Sequence, residues 1–165
     1  MTADGELIDL VLTERRPRWL VREAIEAVVP AGWRLVDLSD VWLGGPALAG
    51  VVGAADYRIT LNVPHDLAAA DVATAARAVI AARTLPRQRE KGGGSVAYDL
   101  RPLLVGIEVV GAGPPAIVQA RTRFHPSLGT GRPEEVVAAL ADELGRPLTI
   151  ANVVRERLIL ADELE

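Results

Sequence analysis

A chain of 165 residues can bury one substantial core, or two half-domains that share an interface. Half of its residues are hydrophobic, 24% are charged and only 4% are aromatic, which is the balance of a folded protein with an aliphatic core. The formal net charge of -4 gives no general attraction to nucleic acid or anionic membranes, and the lack of cysteine excludes disulfides, thiolate zinc sites and cysteine-held iron–sulfur clusters.

Residues 5 to 13 alternate, with Ile8, Leu10 and Leu12 on one face and Leu7, Asp9 and Val11 on the other, so a strand is expected. Asp9 is the odd residue in this run, and a carboxylate at a strand edge or paired with an arginine accounts for it. Pro17 suits a first helical turn, and Leu20, Val21, Ala24, Ile25 and Val28 form an apolar stripe that ends before Pro30 and Gly32. A second strand over residues 33 to 41 completes a β-α-β half-unit, expected to occupy residues 1–45. The Gly- and Ala-rich stretch from Leu43 to Ala54 reads as a connection.

From Tyr57 a second pattern begins. Residues 57 to 63 alternate as a strand, Pro64-His65-Asp66 supplies a turn and an N-cap, and residues 67 to 82 form an Ala-rich helix with Val72, Ala75, Ala76, Val79 and Ile80 inward. Residues 84 to 91, three glycines from Gly92 to Gly94 and residues 95 to 100 read as a β-hairpin. Pro102 interrupts the ladder, strands follow over residues 103 to 110 and 116 to 124, and a turn spans Gly111 to Pro115. The loop from His125 to Arg132 enters a helix with Pro133 first, a stripe of Val136, Val137, Leu140 and Leu144, and Gly145 as its stop. A strand over residues 148 to 160, bent near Arg155 to Arg157, closes the chain. The expected class is α+β: a ferredoxin-like split β-α-β sandwich over residues 55–165 with an inserted hairpin, a mainly antiparallel sheet, and the extra N-terminal half-unit.

Few stretches look specified for chemistry. Period-two alternation puts Arg87, Arg89 and Lys91 on one face of the hairpin; a loop of the three glycines alone sets Arg87 opposite Asp99. Such a basic finger would touch RNA phosphate or an acidic partner, whereas the plainer reading is a charged edge that resists aggregation. Arg101, Arg121 and Arg123 are candidates to extend that basic face. Gly129-Thr130-Gly131-Arg132 before a helix resembles an anion site, but Glu134 and Glu135 fill the first turn and repel phosphate, and no P-loop lysine is present. His65 and His125 have no nucleophile nearby in sequence, so turn and capping roles suit them better than acid–base work.

Taken in order, Gly5-Glu6-Leu7-Ile8-Asp9-Leu10, then Lys91 with Asp99-Leu100-Arg101-Pro102-Leu103, then Gly129-Thr130-Gly131-Arg132-Pro133-Glu134-Glu135-Val136 resemble the radical-SAM-linked protein family. This bacterial domain of unknown function stands alone or is fused to cobalamin-binding radical-SAM proteins. The resemblance covers nearly the whole chain. It implies a companion to such an enzyme, with RNA or a ribosomal component as the substrate side, and no catalytic residues or cofactor of its own. It assigns Asp9, Asp99, Gly129, Gly131, Arg132 and Pro133 to family motifs with structural roles. The family's usual first β-α-β segment, with a Gly-Phe-Asn-Pro-His-Pro-like motif, is not found in this sequence. Without cysteine, the chain has no radical-SAM core itself.

The expectation is therefore a noncatalytic accessory or recognition module. Its alternatives are a protein–protein module that dimerises, or a small enzyme whose Asp9, Asp99, His65 or His125 converge. No metal is expected. The longest uncharged run, Val41 to Ala55, is too short to span a bilayer and the N-terminus is acidic, so no membrane role and a cytoplasmic location are expected.

Overall fold

The structure, a computed structural model, describes residues 1–91, 93–111 and 115–164, with Lys91 described for its backbone alone. In chain order its elements are β1 (Thr2–Ala3), α1 (Arg18–Glu26), α2 (Leu48–Val51), β2 (Val52–Asn62), α3 (Ala69–Ala81), β3 (Pro86–Lys91), β4 (Gly94–Asp99), β5 (Leu104–Val110), β6 (Ala116–His125), β7 (Gly129–Thr130), α4 (Pro133–Leu144) and β8 (Thr149–Leu160). Short 3-10 turns cover Arg101–Leu103 and Ala161–Glu163. The chain divides into two compact units, one of Met1–Leu7 with Val51–Glu165 and one of Ile8–Gly50.

The larger unit is a mixed α+β body built on one mostly antiparallel sheet, in the order β1-β8-β2-β6-β5, with β7 paired to β6. Among the described residues only β1 runs parallel to its neighbour, with Thr2 opposite Val154 and Ala3 opposite Arg155. Alternation decides which face is inside. On β2 the residues Ala55, Tyr57, Ile59 and Leu61 are buried, and on β6 the residues Ala116, Val118, Ala120 and Thr122 join them in one layer. Val72, Ala75, Ala76 and Val79 of α3 and Val136, Val137, Ala139 and Leu140 of α4 recur at helical spacing and bury against that layer. The small alanines of α3 let it approach β5 and α4 closely. Thr122 is the one buried polar residue among those described, and its hydroxyl donates to Gly131 O at 2.8 Å.

The opposite face of the sheet is laced by ion pairs. Asp56 stands directly across from Arg121, which grips both carboxylate oxygens at 2.7 and 2.9 Å. Arg58 Nε donates to Glu156 at 2.6 Å and its Nη2 reaches Asp4 at 3.5 Å. Arg155 stands across from Tyr57, on the helix-covered side, and pairs with Glu6. Three register shifts punctuate the β2–β8 ladder; at one of them Glu156 is the extra residue between Asp56 and Tyr57, which accounts for the bend expected near Arg155 to Arg157.

Several boundaries differ from expectation. β2 begins at Val52, inside what composition alone suggests is a connection, because β8 pairs with it from Val52 and β6 joins from Ala54. Asp66 does not cap α3. The helix starts later, Asp71 Oδ2 accepts from Ala68 N at 3.1 Å, and Asp66 instead pairs with Arg146 at 2.6 Å. The larger correction concerns the N-terminal half-unit. Among the described residues no strand covers 5–13 or 33–41, and of the expected β-α-β only α1 is formed there, together with the two-residue β1 before it. The physical reason is legible in the residues. Leu7, Ile8, Leu10, Val11 and Leu12 are apolar on both faces, and a strand without a bonded neighbour leaves its whole ladder unpaired. The residues 112–114 of the expected Gly111 to Pro115 turn lie outside those described.

The chain has two tyrosines. Burial raises the phenol of Tyr57 above its ordinary value, with Arg155 acting against the rise and Glu134 adding to it. Tyr98 is raised by burial and then by Glu135, with Arg89 opposing. A phenol raised on folding contributes stability that is complete below the unfolded value near 10 and is lost as pH climbs through the folded value. We therefore expect tyrosinate absorbance in native protein to rise only above pH 10 and to shift down on unfolding. Tyr57→Phe should flatten the loss of thermal stability as pH rises above the unfolded value near 10. A native titration that overlays the denatured one contradicts this.

Candidate functional site

The stretch with the densest specified chemistry is the hairpin of β3 and β4, and its geometry begins at its base. Asp99 Oδ1 accepts from Leu85 N at 2.7 Å and from Arg101 N at 2.9 Å, so one carboxylate closes the mouth of the hairpin and starts the 3-10 turn. Pro102 sits inside that turn, while Leu100 and Leu103 are fully buried beneath it. Arg101 Nη1 donates to Leu104 O at 2.8 Å. Asp-Leu-Arg-Pro-Leu is thus a corner in which alternate residues either anchor in the core or bond the backbone.

The ladder pairs Lys91 with Gly94 and Arg87 with Tyr98. Gly94 therefore belongs to the ladder and not to the loop, and Asp99 falls opposite Pro86 rather than Arg87. Gly93 takes a φ of +83°, which a side chain resists. Gly92 lies outside the described residues, as does the side chain of Lys91.

The basic face of the hairpin is turned onto α4 and the loop before it. Arg89 Nη2 donates to Glu135 Oε1 and Oε2 at 2.8 and 3.0 Å and to Thr130 O at 2.8 Å, and its Nε reaches Glu135 Oε1 at 3.2 Å. The guanidinium also lies 4.6 Å from the centre of the Tyr98 ring, whose hydroxyl accepts at 3.3 Å. Both partners are largely covered, Arg89 at 19% and Glu135 at 16% side-chain exposure. Burial alone would lower the Arg89 value, yet the bonds and charges of Glu135 and Tyr98 raise it, so the cation is secured. Arg87 pairs with Asp142 at 2.9 Å and also donates to Pro86 O.

The second family-like motif forms the other wall. Gly131 is buried, and a Cβ there would lie 2.9 Å from Leu103 O and 3.0 Å from Thr122 Cβ. Gly129 has a φ of +90°, next to the Arg89 guanidinium. Glu135 Oε2 accepts from Arg132 N at 3.1 Å, and the buried Pro133 opens α4. One glutamate therefore serves the helix start and the hairpin arginine together. The two motifs, far apart in sequence, meet at Arg89, Tyr98, Thr130 and Glu135.

The remaining candidates lie elsewhere. Arg121 is held by Asp56, and Arg123 is exposed and makes no ion pair among the described residues. His125 Nδ1 accepts from Ser127 N and Leu128 N at 3.2 and 3.1 Å, which makes it the cap of its own turn. Asp9 Oδ2 accepts from Leu48 N at 2.7 Å, and His65 is exposed. Among the described residues no hydrogen bond joins any two of Asp9, Asp99, His65 and His125, and no three His, Asp or Glu are placed to hold a metal ion. A shallow hollow of about 440 Å³ lies on the ion-paired sheet face, with Asp56, Glu108, Gln119, Arg121 and Glu156 around it. Its acids and arginines are largely spent on one another. Sequence reading missed Glu135, Asp142, Asp56 and Tyr98 as the partners of these arginines. The one signal available was the coincidence of a basic strand with an acidic first helical turn.

Among the described residues no helix is long and apolar enough to cross a membrane. A family model described as uncharacterized protein conserved in bacteria (DUF2344) matches residues 1–136. No curated protein and no solved structure matches the chain.

Proposed function

We propose that this chain, which belongs to that family of uncharacterized bacterial proteins, is a noncatalytic accessory module that recognises a partner instead of transforming a substrate. The observation that carries the reading is where the polar groups are spent. Asp99, His125 and Glu135 each satisfy nearby backbone donors, and Arg89 is enclosed by a carboxylate, a carbonyl and a ring, so groups suited to acid–base work are used to hold the fold. The strand order β8-β2-β6-β5, with α3 and α4 as the crossing connections, supports a ferredoxin-like split β-α-β reading of the larger unit.

The resemblance of Asp99-Leu100-Arg101-Pro102-Leu103 and the Gly129 to Val136 stretch to radical-SAM-linked proteins supplies the partner: a cobalamin-binding radical-SAM protein in the cytoplasm. Affinity-tagged chain should retain such a protein from the same genome, and a purified pair that co-elutes no more than a tagged control discards the reading.

A second reading keeps RNA as the ligand of the hairpin, and the exposure of Asp142, 69% against 19% for Arg87, favours it for Arg87, because the carboxylate is free to swing into solvent away from the guanidinium. Arg87 and Arg89 would have to exchange Asp142 and Glu135 for phosphate. Combined E135Q and D142N should then raise affinity for a mixed-sequence single-stranded RNA about tenfold at low salt, with the gain fading as salt rises. If neither wild type nor variant binds at low salt, RNA is not the ligand.

A further inference from the structure

β5 ends the larger unit's sheet on the side away from β1, and among the described residues no strand pairs with its far edge. A bare edge offers unpaired N–H and C=O groups to any strand that arrives, and folded chains blunt it with brevity, charge or proline. Elsewhere in this chain those devices are present. β1 is two residues long, and the hairpin sheet carries Pro86, Arg87, Arg89 and Lys91. β5, Leu-Val-Gly-Ile-Glu-Val-Val, has a single charge and no proline, and its Val105 and Val110 are 37% and 40% exposed. A bulge at Val105 bends its start and leaves Gly106 to Val110 as a regular edge.

The residues on this edge select the occupant. On the face away from the helices, Gly106 stands across from Arg121 and Glu108 across from Gln119. A Cβ at Gly106 would meet nothing within 4 Å, and this glycine lines the hollow of about 440 Å³ on the ion-paired face. Arg121 commits Nε and Nη2 to Asp56, its side chain is 42% exposed, and its Nη1 makes no hydrogen bond among the described residues. Glu108 is exposed and makes no ion pair among the described residues.

Two copies of one edge run antiparallel about a two-fold axis normal to the sheet, which keeps both helix layers on the same side. An axis through Glu108 would oppose two carboxylates, a repulsive arrangement. An axis through Ile107 instead opposes Ile107 to itself and each Glu108 to Gly106 of the other copy. Neighbouring strands are about 4.8 Å apart, so Glu108 then stands two spacings, about 10 Å, from Arg121 beyond that glycine. The missing side chain leaves the path between carboxylate and guanidinium open, and Arg121 bridges Asp56 and the incoming acid. Bare glycine, unspent acid and part-spent arginine thus complement one another when this strand meets itself, once on each side of the axis.

We propose that the free edge of β5 is a dimer seam, in which two copies of this chain pair strand to strand about a two-fold axis at Ile107. The sheet then runs on across both copies, with Glu108 of each over Gly106 and against Arg121 of the other. The inference stands apart from the radical-SAM and RNA readings, since neither has to hold for two copies to pair.

Sedimentation of the full chain from about 1 to 200 μM should show a species of twice the chain mass. Glu108→Gln removes two ion pairs per dimer and should weaken it about tenfold, with Glu108→Arg weaker still. Far-UV circular dichroism checks that both variants keep the fold. The register is read by crosslinking, which the cysteine-free chain makes clean. Directly opposed residues lie about 4.5–5.5 Å apart, within disulfide reach. A Gly106→Cys chain mixed with a Glu108→Cys chain should therefore form a disulfide-linked dimer under mild oxidation, and neither chain alone should. A wild-type chain that stays monomeric at 200 μM overturns the proposal. A dimer that Glu108→Gln tightens, or that Glu108→Cys alone crosslinks as readily as the mixture does, overturns it equally, because either result puts the axis on Glu108. A dimer in which the mixture fails to crosslink places the contact elsewhere and overturns it too.

Discussion

Glu135→Ala is expected to lower the unfolding free energy by about 3 kcal/mol, measured as a drop in the urea midpoint at constant slope. The carboxylate makes the short bonds to Arg89 and accepts from Arg132 N. Removing it leaves a largely covered guanidinium with Thr130 O and the Tyr98 ring as its company, and an unpaired N–H at the start of α4. A fully buried pair broken in this way costs about 3–5 kcal/mol; the exposure that remains here lowers that share to roughly 2, and the lost helix-start bond adds about 1. Glu135→Gln keeps the acceptor and loses the charge, so it should cost less than half as much. Combining Glu135→Ala with Arg89→Met should recover part of the loss, because no unpaired charge is then left behind. Equal urea midpoints for Glu135→Ala and wild type would show that the hairpin is not clasped to α4 in solution.

Gly131→Ala should cost about 2 kcal/mol, although it adds a single methyl group. The new carbon would stand 2.9 Å from Leu103 O, 3.0 Å from Thr122 Cβ and 3.2 Å from Leu103 Cβ. Two of the three obstacles belong to a buried leucine in the 3-10 turn and the third to a central strand, so none can swing aside. Relief requires the loop before α4 to move away from the corner, which also lengthens the Thr122 to Gly131 bond of 2.8 Å. At about 2–4 °C per kcal/mol for a chain of this size, the melting temperature should fall by roughly 4–8 °C. Gly106→Ala is the matched control. Its Cβ meets nothing within 4 Å and its backbone is not left-handed, so its melting temperature should stay within about 1 °C of wild type. A Gly131→Ala protein as stable as that control would mean that the loop does not rest against the Leu103 corner.

Both predictions fall on stretches that the sequence singles out, yet neither could be framed from sequence. Gly131 reads as turn chemistry or a weak anion loop, and its reason for being glycine, the Leu103 carbonyl, belongs to a residue 28 positions earlier. Arg89 reads as a free cation on a finger because alternation places it on one face without saying what that face meets. Asp99 is a similar case, assigned to a motif by resemblance and explained only once Leu85 N and Arg101 N are seen to converge on it.

What the sequence determined by itself is local. The helices α3 and α4 carry their apolar residues at helical spacing, and α4 ends where Gly145 stops it. The strands β3 to β6 and β8 follow period-two patterns bounded by turns, and Glu135 announces itself as a first-turn acid. Such features rest on bonds between near neighbours and on which face a side chain takes, both of which sequence spacing sets directly. What only the tertiary structure decided is pairing over distance. β2 extends back to Val52 because β8 pairs with it there and β6 from Ala54, whereas residues 5–13 and 33–41, with strand-like composition, form no strand among the described residues. The basic hairpin face becomes an inward clasp because α4 delivers Glu135 and Asp142 to it. An ion pair or a ladder bond forms only when its partner arrives, and the partner's identity is written elsewhere in the chain.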